Sequence, residues 1–530
     1  MPPGQMRVAC AQLPARELRD AELSLNEAFE AMRDASSNHG ADIVVLPECT
    51  YPAYFMSRYP SPPAVRDTLE VEQLFAEAAR DTGIAVMVGL AARDVSNATP
   101  VMRNSFVLFD DNGKVVLRGA KRLLWDFDRA LFQASQESEV AELRGVRVGG
   151  LVCADARLPE IARLLAVQGV DLILDPTAWV TIGTHLPTPS NPQPEYVLPV
   201  RAIENGVWIA AADKVGTERN AVTYCGRSSI IAPDGTPLAV ASAREPEVIS
   251  ATIDATVPHG PPVQRHPELY ESIAMDLQEL PIRSRLSRRL DPADYLSRVV
   301  LLQESEWGTR QQEPATAEGA LDALDANVFA FCTRDADRAA LVTRRLVRPK
   351  RGVVAAVLDE AGHPTHCLAI ADESEASLFP THGKRGGEAR TLRDRTFDVG
   401  ELRVGILMGR EGLVPEVMRV VLLDGAELVI WFADPGQSNV ESILRTRALE
   451  SRAYVALVVP HGSTSGVAKI ADPDGRVIAD APAGAGYLVS AMLNVALART
   501  KQIVPGTDIL ANRQPRSYAS LADVSGDEAS

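Results

Sequence analysis

The 530-residue sequence has few cysteines, few histidines and no long apolar run. Its six cysteines form no CxxC pair and no Cys/His cluster with the spacing of zinc ligands. So few thiols in so long a chain predict a reducing compartment without a disulfide framework, and we expect a cytoplasmic protein. No stretch approaches the ~18 continuous apolar residues of a membrane span. The eight histidines include no HExxH motif, so a metalloprotease site is not expected.

An excess of positive charge is also missing. The chain has 54 Lys and Arg residues against 70 Asp and Glu residues, a net charge of −16. This balance argues against nucleic acid and anionic membranes as main partners. The N-terminus, MPPGQMRVACAQL, lacks the basic segment, apolar core and cleavage site of a signal peptide. With 46% hydrophobic and 23% charged residues, the composition is typical of a soluble globular protein.

Strand-like apolar runs and amphipathic helical segments alternate through the first half of the chain. DIVVLPE (42–48) and VRVGGLVC (146–153) are typical of buried strands, and residues 20–38 have the pattern of an amphipathic helix. Asn112 and Gly113 predict the turn of a hairpin. The pattern therefore predicts an α/β protein whose mixed sheets are covered by helices.

The chain contains an internal repeat. VRVGGLVCADARLPEIARLLAVQGVDLILDPTAW (146–179) returns as LRVGILMGREGLVPEVMRVVLLDGAELVIWFADP (402–435). RHPELY (265–270) returns as RQPRSY (513–518), in the same order along the chain. Several shorter matches keep that order, so the repeat indicates a duplicated domain. We predict copy one at 1–283, a linker rich in Arg, Glu and Pro at 284–319, and copy two at 320–530.

Three apolar runs of copy one end on residues that can do chemistry: Glu48, Lys121 and Cys153. Strand ends that face a crevice are where α/β proteins keep their active sites. Taken singly, a cysteine at a strand end is more often a small buried hydrophobe, and glutamates and lysines are more often solvated. Together, a carboxylate, an ammonium and a thiol can break a carbon–nitrogen bond through a thioester.

These three motifs, with IEN at 203–205 and RHPELY, resemble those of the nitrilase, or carbon–nitrogen hydrolase, superfamily. The resemblance covers nearly all of copy one and copy two more loosely. It implies an αββα sandwich for each copy and a catalytic triad of Glu48, Lys121 and Cys153. Family subunits usually pair through their helices, so the two tandem copies are expected to pack as a pseudo-dimer on one chain. Further association into a homo-oligomer is left open.

The family often has a second glutamate between the lysine and the cysteine, and here its identity is open. The segment after the lysine departs from the family pattern and offers four acidic candidates: Asp126, Asp128, Glu137 and Glu139.

Copy two has lost the catalytic residue types. In this alignment Met408 takes the cysteine position, Thr333 weakly takes the glutamate position, and Lys384 is the one match for the lysine. A thioether cannot form a thioester by this route. Copy two is therefore predicted to be inactive, and to stabilise copy one, shape its pocket or occupy a dimer surface.

A set of mostly aromatic residues lies on segments expected at the mouth of the crevice. Each alone is more often part of a core, but as a set they predict a mostly apolar pocket for a small substrate. The candidates are Tyr51, Tyr54, Phe55, Trp125, Phe127, Asp128, Trp179 and Tyr196.

The reaction expected is hydrolysis of a small amide or carbamoyl compound without metal or organic cofactor. Glu48 would deprotonate Cys153, and Lys121 with the backbone N–H of Ala154 would stabilise the oxyanion. CADARLPE looks closer to the CYDxRxPE of amidases and carbamoylases than to the CWEH of nitrilases. Nitrile hydrolysis and acyl transfer remain as alternatives within the class, and a non-catalytic ligand-binding or scaffold protein remains as an alternative outside it.

Overall fold

The computed structural model folds into two compact units, each described here by itself. Unit 1 comprises Met1–Pro262, Gln502–Asp508 and Asn512–Ser520. Unit 2 comprises Val263–Lys501 and two short pieces, Ile509–Ala511 and Leu521–Ser530. The structure describes residues 4–56, 64–94, 101–137, 139–182, 189–257, 260–261, 263–302, 325–371, 377–380, 392–460, 468–481 and 488–523.

Unit 1 contains a nine-stranded mixed sheet in the order β5-β4-β3-β2-β1-β11-β12-β9, with β15 also paired to β1. Its parallel centre is formed by β1, β2, β3 and β11. The predicted hairpin connects β4 and β5, and is confirmed. The strands are β1 (Gln5–Pro14), β2 (Ile43–Val45), β3 (Ala85–Asp94), β4 (Val101–Phe109), β5 (Val115–Ala120), β9 (Val180–Ile182), β11 (Lys214–Glu218), β12 (Val222–Cys225) and β15 (Glu247–Asp254).

The second sheet of unit 1 has six strands in the order β14-β13-β10-β8-β7-β6. They are β6 (Val140–Leu143), β7 (Val146–Gly150), β8 (Leu172–Pro176), β10 (Trp208–Ala212), β13 (Ser229–Ile231) and β14 (Pro237–Val240). The helices are α1 (Ala21–Ser37), α2 (Thr68–Thr82), α3 (Pro159–Ala166) and α4 (Leu198–Asn205). A small hairpin of β28 (Gln502–Val504) and β29 (Thr507–Asp508) also belongs to this unit.

Apolar packing places the two sheets of unit 1 against each other and against helices. The apolar faces of α1 and α2 pack on the nine-stranded sheet, with Met32 and Phe75 fully buried between them. On the other side, Cys10 Sγ of β1 lies 3.8 Å from the carbonyl oxygen of Ser229 in β13. Strands β8 and β10 are buried along their whole length, as expected for a sheet covered on both faces.

Unit 2 repeats this pattern with two six-stranded sheets, β20-β19-β18-β17-β16-β27 and β21-β22-β23-β24-β25-β26. An apolar core of both sheets fills the space between them. The strands are β16 (Leu296–Leu302), β17 (Val328–Thr333), β18 (Gly352–Leu358), β19 (Pro364–Ala371), β20 (Ser377–Pro380), β21 (Thr396–Val399), β22 (Leu402–Met408), β23 (Leu428–Phe432), β24 (Tyr454–Val458), β25 (Ala468–Ala471), β26 (Val477–Asp480) and β27 (Leu488–Asn494). The helices are α5 (Ile282–Ser287), α6 (Ala336–Leu346), α7 (Pro415–Leu423), α8 (Val440–Ser451) and α9 (Val495–Arg499).

The compact units differ from the domain bounds predicted from the repeat. The segment predicted as a linker, 284–319, contains β16, which pairs with β17 on one side and with the edge strand β27 on the other. The apolar run of β16 is short and follows a charge-rich stretch, so the composition of the segment does not indicate a strand. The last residues of each copy also belong to the unit formed mainly by the other copy. Residues 263–283 of copy one belong to unit 2, and most of residues 502–520 of copy two belong to unit 1.

The structure also corrects one correspondence between the copies. The short 3₁₀ turn that begins at Cys153 in copy one begins at Gly409 in copy two, and both residues have positive φ, 49° and 56°. Gly409, and not Met408, therefore takes the cysteine position. Strand register supports Thr333 as the counterpart of Glu48, because β2 and β17 occupy the same place in their sheets. Lys384 lies outside the described residues.

No helix in the described part of the chain is long and apolar enough to cross a membrane.

A glycine in β3 permits a close approach to the loop that follows β2. A Cβ on Gly89 would lie 2.5 Å from the carbonyl oxygen of Pro47 and 2.7 Å from the Cα of Glu48. Both contacts are backbone atoms, which cannot rotate away. The loop carrying Glu48 therefore packs directly on the backbone of β3.

We expect Gly89→Ala to destabilise the protein by about 1–3 kcal/mol, because the methyl group must displace backbone at Pro47 and Glu48. Urea unfolding measures the loss. Gly260→Ala is the matched control, since its added Cβ meets no atom within 4 Å. Equal stability of the two variants would contradict the close approach.

Candidate active site

Glu48 lies in the loop after β2 and is fully buried. Its backbone N–H donates to the carbonyl oxygen of Thr177, 3.2 Å away, which fixes the loop against the end of β8. Its side-chain Oε1 accepts a hydrogen bond of 2.6 Å from Asn104 Nδ2. Among the described residues, Oε2 of this carboxylate has no hydrogen-bond partner. One oxygen is thus held in place and the other is available to a reacting group.

Lys121 follows β5 directly and is also fully buried. Its backbone N–H donates to Asn104, 2.8 Å away, which continues the β4–β5 pairing. Its Nζ lies 2.7 Å from Glu48 Oε1 and 2.7 Å from Asp128 Oδ2. One buried ammonium therefore bridges two buried carboxylates.

Asp128 is the acidic candidate that the structure brings to Lys121. It is 1% exposed, and its Oδ1 accepts a 2.8 Å hydrogen bond from the Tyr54 hydroxyl. Its Oδ2 accepts another of 2.8 Å from the backbone N–H of Trp125. Of the other candidates, Asp126 is partly exposed and Glu137 and Glu139 are exposed. The sequence carries no signal that distinguishes Asp128 from Asp126, because both alternate with aromatic residues in Trp125–Asp128.

Cys153 follows the end of β7 and opens the 3₁₀ turn Cys153–Arg157. Its φ of 49° lies in the left-handed region, which non-glycine residues rarely adopt. Its backbone N–H donates to Asp175 Oδ1, 2.7 Å away, and the residue is 8% exposed. Ala154, the second residue of the turn, is buried. A strained turn thus holds the thiol at the strand end.

Asp155 ties the cysteine turn to the loop after Lys121. Its Oδ1 accepts hydrogen bonds from the backbone N–H groups of Arg122 and Leu123, at 2.9 and 2.7 Å. Its Oδ2 accepts one of 3.1 Å from Val152. Asp155 therefore joins the two segments that carry the ammonium and the thiol.

The electrostatics of the cluster keep the thiol protonated at rest. Burial raises the pKa of Cys153 well above its usual value, the Glu48 carboxylate raises it further, and Lys121 opposes both. Burial also raises the pKa of Glu48, and this outweighs the lowering by Lys121. Burial alone would lower the pKa of Lys121, but Asp128 and Glu48 hold it well above the usual lysine value. Lys121 is therefore a permanent cation, and Glu48 is a stronger base than an exposed glutamate.

The predicted pocket residues divide into two groups. Tyr54, Phe55 and Phe127 form an aromatic cluster with ring centroids 4.5–5.5 Å apart, beside Asp128. The Trp125 ring lies 4.6 Å below the guanidinium of Arg157.

The remaining candidates are placed differently. Trp179 and Tyr196 are 1% and 3% exposed, and the backbone N–H of Trp179 donates to Asp213. The Tyr51 hydroxyl accepts a 2.6 Å hydrogen bond from the backbone of Arg66. The structure therefore brings Tyr54 and Asp128 to Lys121.

Two residues of the site were missed from the sequence. Asn104 of β4 contacts Glu48, and Asp175 at the end of β8 holds the backbone of Cys153. Asp175 follows an apolar strand, DLILD, and could have been singled out by the rule that found the triad. Asn104 carries no such signal, because it lies inside the hairpin.

Two clefts open beside the cluster. One, of about 1010 Å³, lies along the outer side of β4 and β5, and the other, of about 300 Å³, lies by Tyr51 and Met102. Neither is lined by Glu48, Lys121 or Cys153. The clefts therefore do not define the space in which a substrate would meet the thiol.

Comparison with known proteins gives a consistent set of relatives. The family model described as carbon-nitrogen hydrolase matches residues 7–258 and 356–502. The chain is similar to the hydrolase in the pqqF 5′ region of Pseudomonas protegens, 31% identical over 281 residues, covering 51% of this chain and 92% of the relative. It is also similar to a nitrilase of Pyrococcus abyssi, 31% identical, covering 47% of this chain and 90% of the relative.

Two further similarities are of the same kind. Omega-amidase NIT2 of Xenopus tropicalis is 29% identical, covering 44% of this chain and 83% of the relative. The solved structure of an amidase from Nesterenkonia sp. is 27% identical with a TM-score of 0.42, covering 48% of this chain and 92% of that chain. Each of these relatives matches about half of the present chain.

We expect Asp128→Asn to lower kcat by about 10²-fold or more, because an amide cannot hold the Lys121 ammonium as a carboxylate does. Steady-state kinetics measure the loss. Asp126→Asn is the matched control: the residue lies two positions earlier and its side chain is partly exposed. A large loss of kcat in Asp126→Asn and none in Asp128→Asn would show that Asp126, and not Asp128, holds Lys121.

Proposed function

The chain belongs to the carbon–nitrogen hydrolase family, and we propose that Glu48, Lys121 and Cys153 hydrolyse a small amide or carbamoyl compound through a thioester. The observation that carries this proposal is the 2.7 Å contact of Lys121 Nζ with Glu48 Oε1, with the thiol close enough for both groups to shift its pKa. A base, a fixed cation and a nucleophile, all buried in one cluster, are the parts that the reaction needs.

In the first half-reaction, Glu48 accepts the proton of the Cys153 thiol through its free oxygen, Oε2, as the sulfur attacks the carbonyl carbon. The negative charge that develops on the substrate oxygen is stabilised by the Lys121 ammonium and by the backbone N–H of Ala154. The carbon–nitrogen bond then breaks. The nitrogen leaves as ammonia or an amine with the proton that Glu48 had accepted, and a thioester on Cys153 remains.

In the second half-reaction, Glu48 activates water. It accepts a proton from the water as the oxygen attacks the thioester, and Lys121 again stabilises the oxyanion. The carbon–sulfur bond breaks, the proton returns to the sulfur, and an acid is released. Each group ends in the state in which it began, so no external oxidant or reductant enters.

Asp128 supports this cycle through Lys121. Its carboxylate keeps the buried ammonium charged and orients it between two fixed oxygens. Tyr54 and the backbone of Trp125 in turn fix Asp128 through 2.8 Å hydrogen bonds. Asp128 therefore takes the place of the second family glutamate.

Amides and carbamoyl compounds are preferred over nitriles because CADARLPE, which carries the nucleophile, resembles the amidase and carbamoylase motif. Relatives with both kinds of name are similar to this chain, so nitrile hydrolysis stays the second candidate. Acyl transfer uses the same thioester and differs only in the acceptor. The buried contact of Lys121 with Glu48 supports catalysis by copy one over the scaffold alternative.

Copy two is proposed to be catalytically inactive. Gly409 and Thr333, at the positions of the cysteine and the glutamate, supply neither a nucleophile nor a base. A cytoplasmic location also remains a proposal. It is supported by the six cysteines, all of which are buried and none of which forms a disulfide.

We expect Cys153→Ala to lower the rate of ammonia release from amides by roughly 10⁴-fold or more, since no other group can carry the acyl intermediate. A coupled ammonia assay over small amides, carbamoyl amino acids and nitriles measures this and ranks the substrate classes. Cys367→Ala, a buried thiol of unit 2, is the control and should retain activity. A Cys153→Ala enzyme with normal turnover would overturn the mechanism, and faster turnover of nitriles than amides would overturn the substrate class.

The pH profile should follow Glu48. Activity requires its ionised form, so kcat/KM is lost as the pH falls through a pKa that burial has raised above the ordinary glutamate value. Asn104 lowers that pKa by donating to Oε1, so Asn104→Leu should move the acid limb to higher pH. Ser105→Ala, whose hydroxyl donates to Leu90 instead, is the control. An unchanged limb in Asn104→Leu would show that another group is the base.

A further inference from the structure

We propose that the end of the chain, residues 502–508 and 512–520, positions the catalytic loop of unit 1, with Thr507 as the principal positioning residue. We call these residues the terminal segment. They belong to the last part of copy two in the sequence but lie in unit 1. The loop they contact, residues 122–135, begins directly after Lys121 and contains Asp128. The inference rests on the proposed function, since it concerns the same catalytic groups.

Thr507 holds the middle of the loop. It is fully buried, its Oγ1 donates a 3.0 Å hydrogen bond to the carbonyl oxygen of Leu124, and it accepts one of 2.9 Å from the N–H of Asp126. The residue between these two, Trp125, donates its own N–H to Asp128 Oδ2. One hydroxyl therefore fixes the peptide groups on both sides of Trp125, and one of these carries the N–H that binds Asp128.

Gln514 holds the two ends of the loop. Its Oε1 accepts from Arg122 Nε at 3.0 Å, and its Nε2 donates to the carbonyl oxygen of Ser135 at 2.5 Å. The N–H of Ser135 donates in turn to the carbonyl oxygen of Lys121, 2.9 Å away. Ser517 accepts a further hydrogen bond of 2.5 Å from Arg122. The start and the end of the loop are thus joined through one side chain.

The terminal segment is packed and not loosely apposed. Tyr518 is fully buried, with the Arg122 guanidinium 5.9 Å from its ring centroid. A Cβ on Gly506 would lie 3.1 Å from Arg129 Cδ, so this turn packs closely against the Arg129 side chain. Buried side-chain hydrogen bonds and close packing hold a segment in one position more firmly than exposed contacts do.

The repeat shows that this arrangement is built into both copies. RHPELY of copy one, the counterpart of RQPRSY in the terminal segment, belongs to unit 2. There Arg265 Nε donates to Glu416 in α7 at 2.9 Å. Each copy thus ends on the unit formed mainly by the other. Because copy two lacks the nucleophile and the base, only the terminal segment contacts a loop with catalytic groups.

The expected consequence is an effect on kcat more than on KM. Thr507 contacts only backbone of the loop, and it acts on the reaction through Asp128 and Lys121. Displacement of a catalytic group by about 1 Å can cost on the order of 10²-fold in rate. Loosening the loop should also weaken the contact of Lys121 with Glu48, and this contact lowers the pKa of Glu48.

The test uses the full-length chain with Thr507→Val, which keeps the β-branched shape and removes both hydrogen bonds. We expect kcat for the best amide of the panel to fall about tenfold or more, KM to change less than about threefold, and the acid limb of the pH profile to move to higher pH. Thr507→Ser keeps the hydroxyl and should stay near wild type. Thr500→Val is the matched control, since the Thr500 hydroxyl donates to Ala496 within unit 2.

Gln514→Met is the second variant and carries the test if Thr507→Val does not fold. It should show the same split between kcat and KM. Wild-type kcat in both variants, or a Thr507→Ser enzyme as impaired as Thr507→Val, would overturn the proposal. The rate and pH dependence of Cys153 alkylation by iodoacetamide need no substrate. They report on the loop even if Cys153→Ala were to retain turnover, so failure of the proposed function and failure of this inference remain distinguishable.

Discussion

The structure of the site depends on one buried ion cluster, in which the Lys121 ammonium lies 2.7 Å from carboxylate oxygens of both Glu48 and Asp128. Burying three charges costs several kcal/mol for each ion unless partners and hydrogen bonds compensate. Here one cation faces two anions, so the cluster keeps a net negative charge. Burial is the main reason why the pKa values of Glu48 and Cys153 are both raised, and the negative charges add to it: Asp128 raises the pKa of Glu48, and Glu48 raises that of Cys153. In the proposed mechanism, a proton that moves from the thiol to Glu48 shifts this negative charge towards the substrate without changing its amount, and the Lys121 ammonium stabilises it.

The cluster explains why so much of the surrounding chain is fixed. Glu48 lies in a loop packed on Gly89, Lys121 follows a hairpin strand, and Cys153 lies in a turn whose backbone is held by Asp175. Asp155 then joins the lysine and cysteine segments through backbone N–H groups. Each charge therefore has its position set by regular structure and not by a mobile side chain. Such preorganisation is what makes electrostatic stabilisation effective, since little reorganisation is needed during the reaction.

The residues of this site that follow regular strands could be singled out from the sequence. Glu48, Lys121 and Cys153 each end an apolar run, and a strand end is visible from composition alone. Asp128 could not be separated from Asp126, because a turn of five residues has no periodicity from which to read which acid points inward. Strand β16 was not predicted, because it lies in a charge-rich stretch. The counterpart of Cys153 was predicted one position too early, at Met408 instead of Gly409. The place of β16 is determined by its pairing partners, which lie far away in the sequence. The position of Gly409 follows already from a letter-by-letter alignment of 146–153 with 402–409.

The duplicated copy acquires a physical role from the same reasoning. A loop of fourteen residues that carries Asp128 must be ordered, and ordering backbone costs roughly 1–2 kcal/mol for each residue. Unit 1 meets part of this cost with buried hydrogen bonds from Thr507 and Gln514, which lie at the far end of the chain. Along the sequence, most of copy two lies between the loop and these residues. Under the proposed function, the missing nucleophile and base of copy two take no group from the active site, whereas loss of its final residues would remove two loop anchors. Selection on the first copy can therefore preserve the fold of the second after its own chemistry has gone.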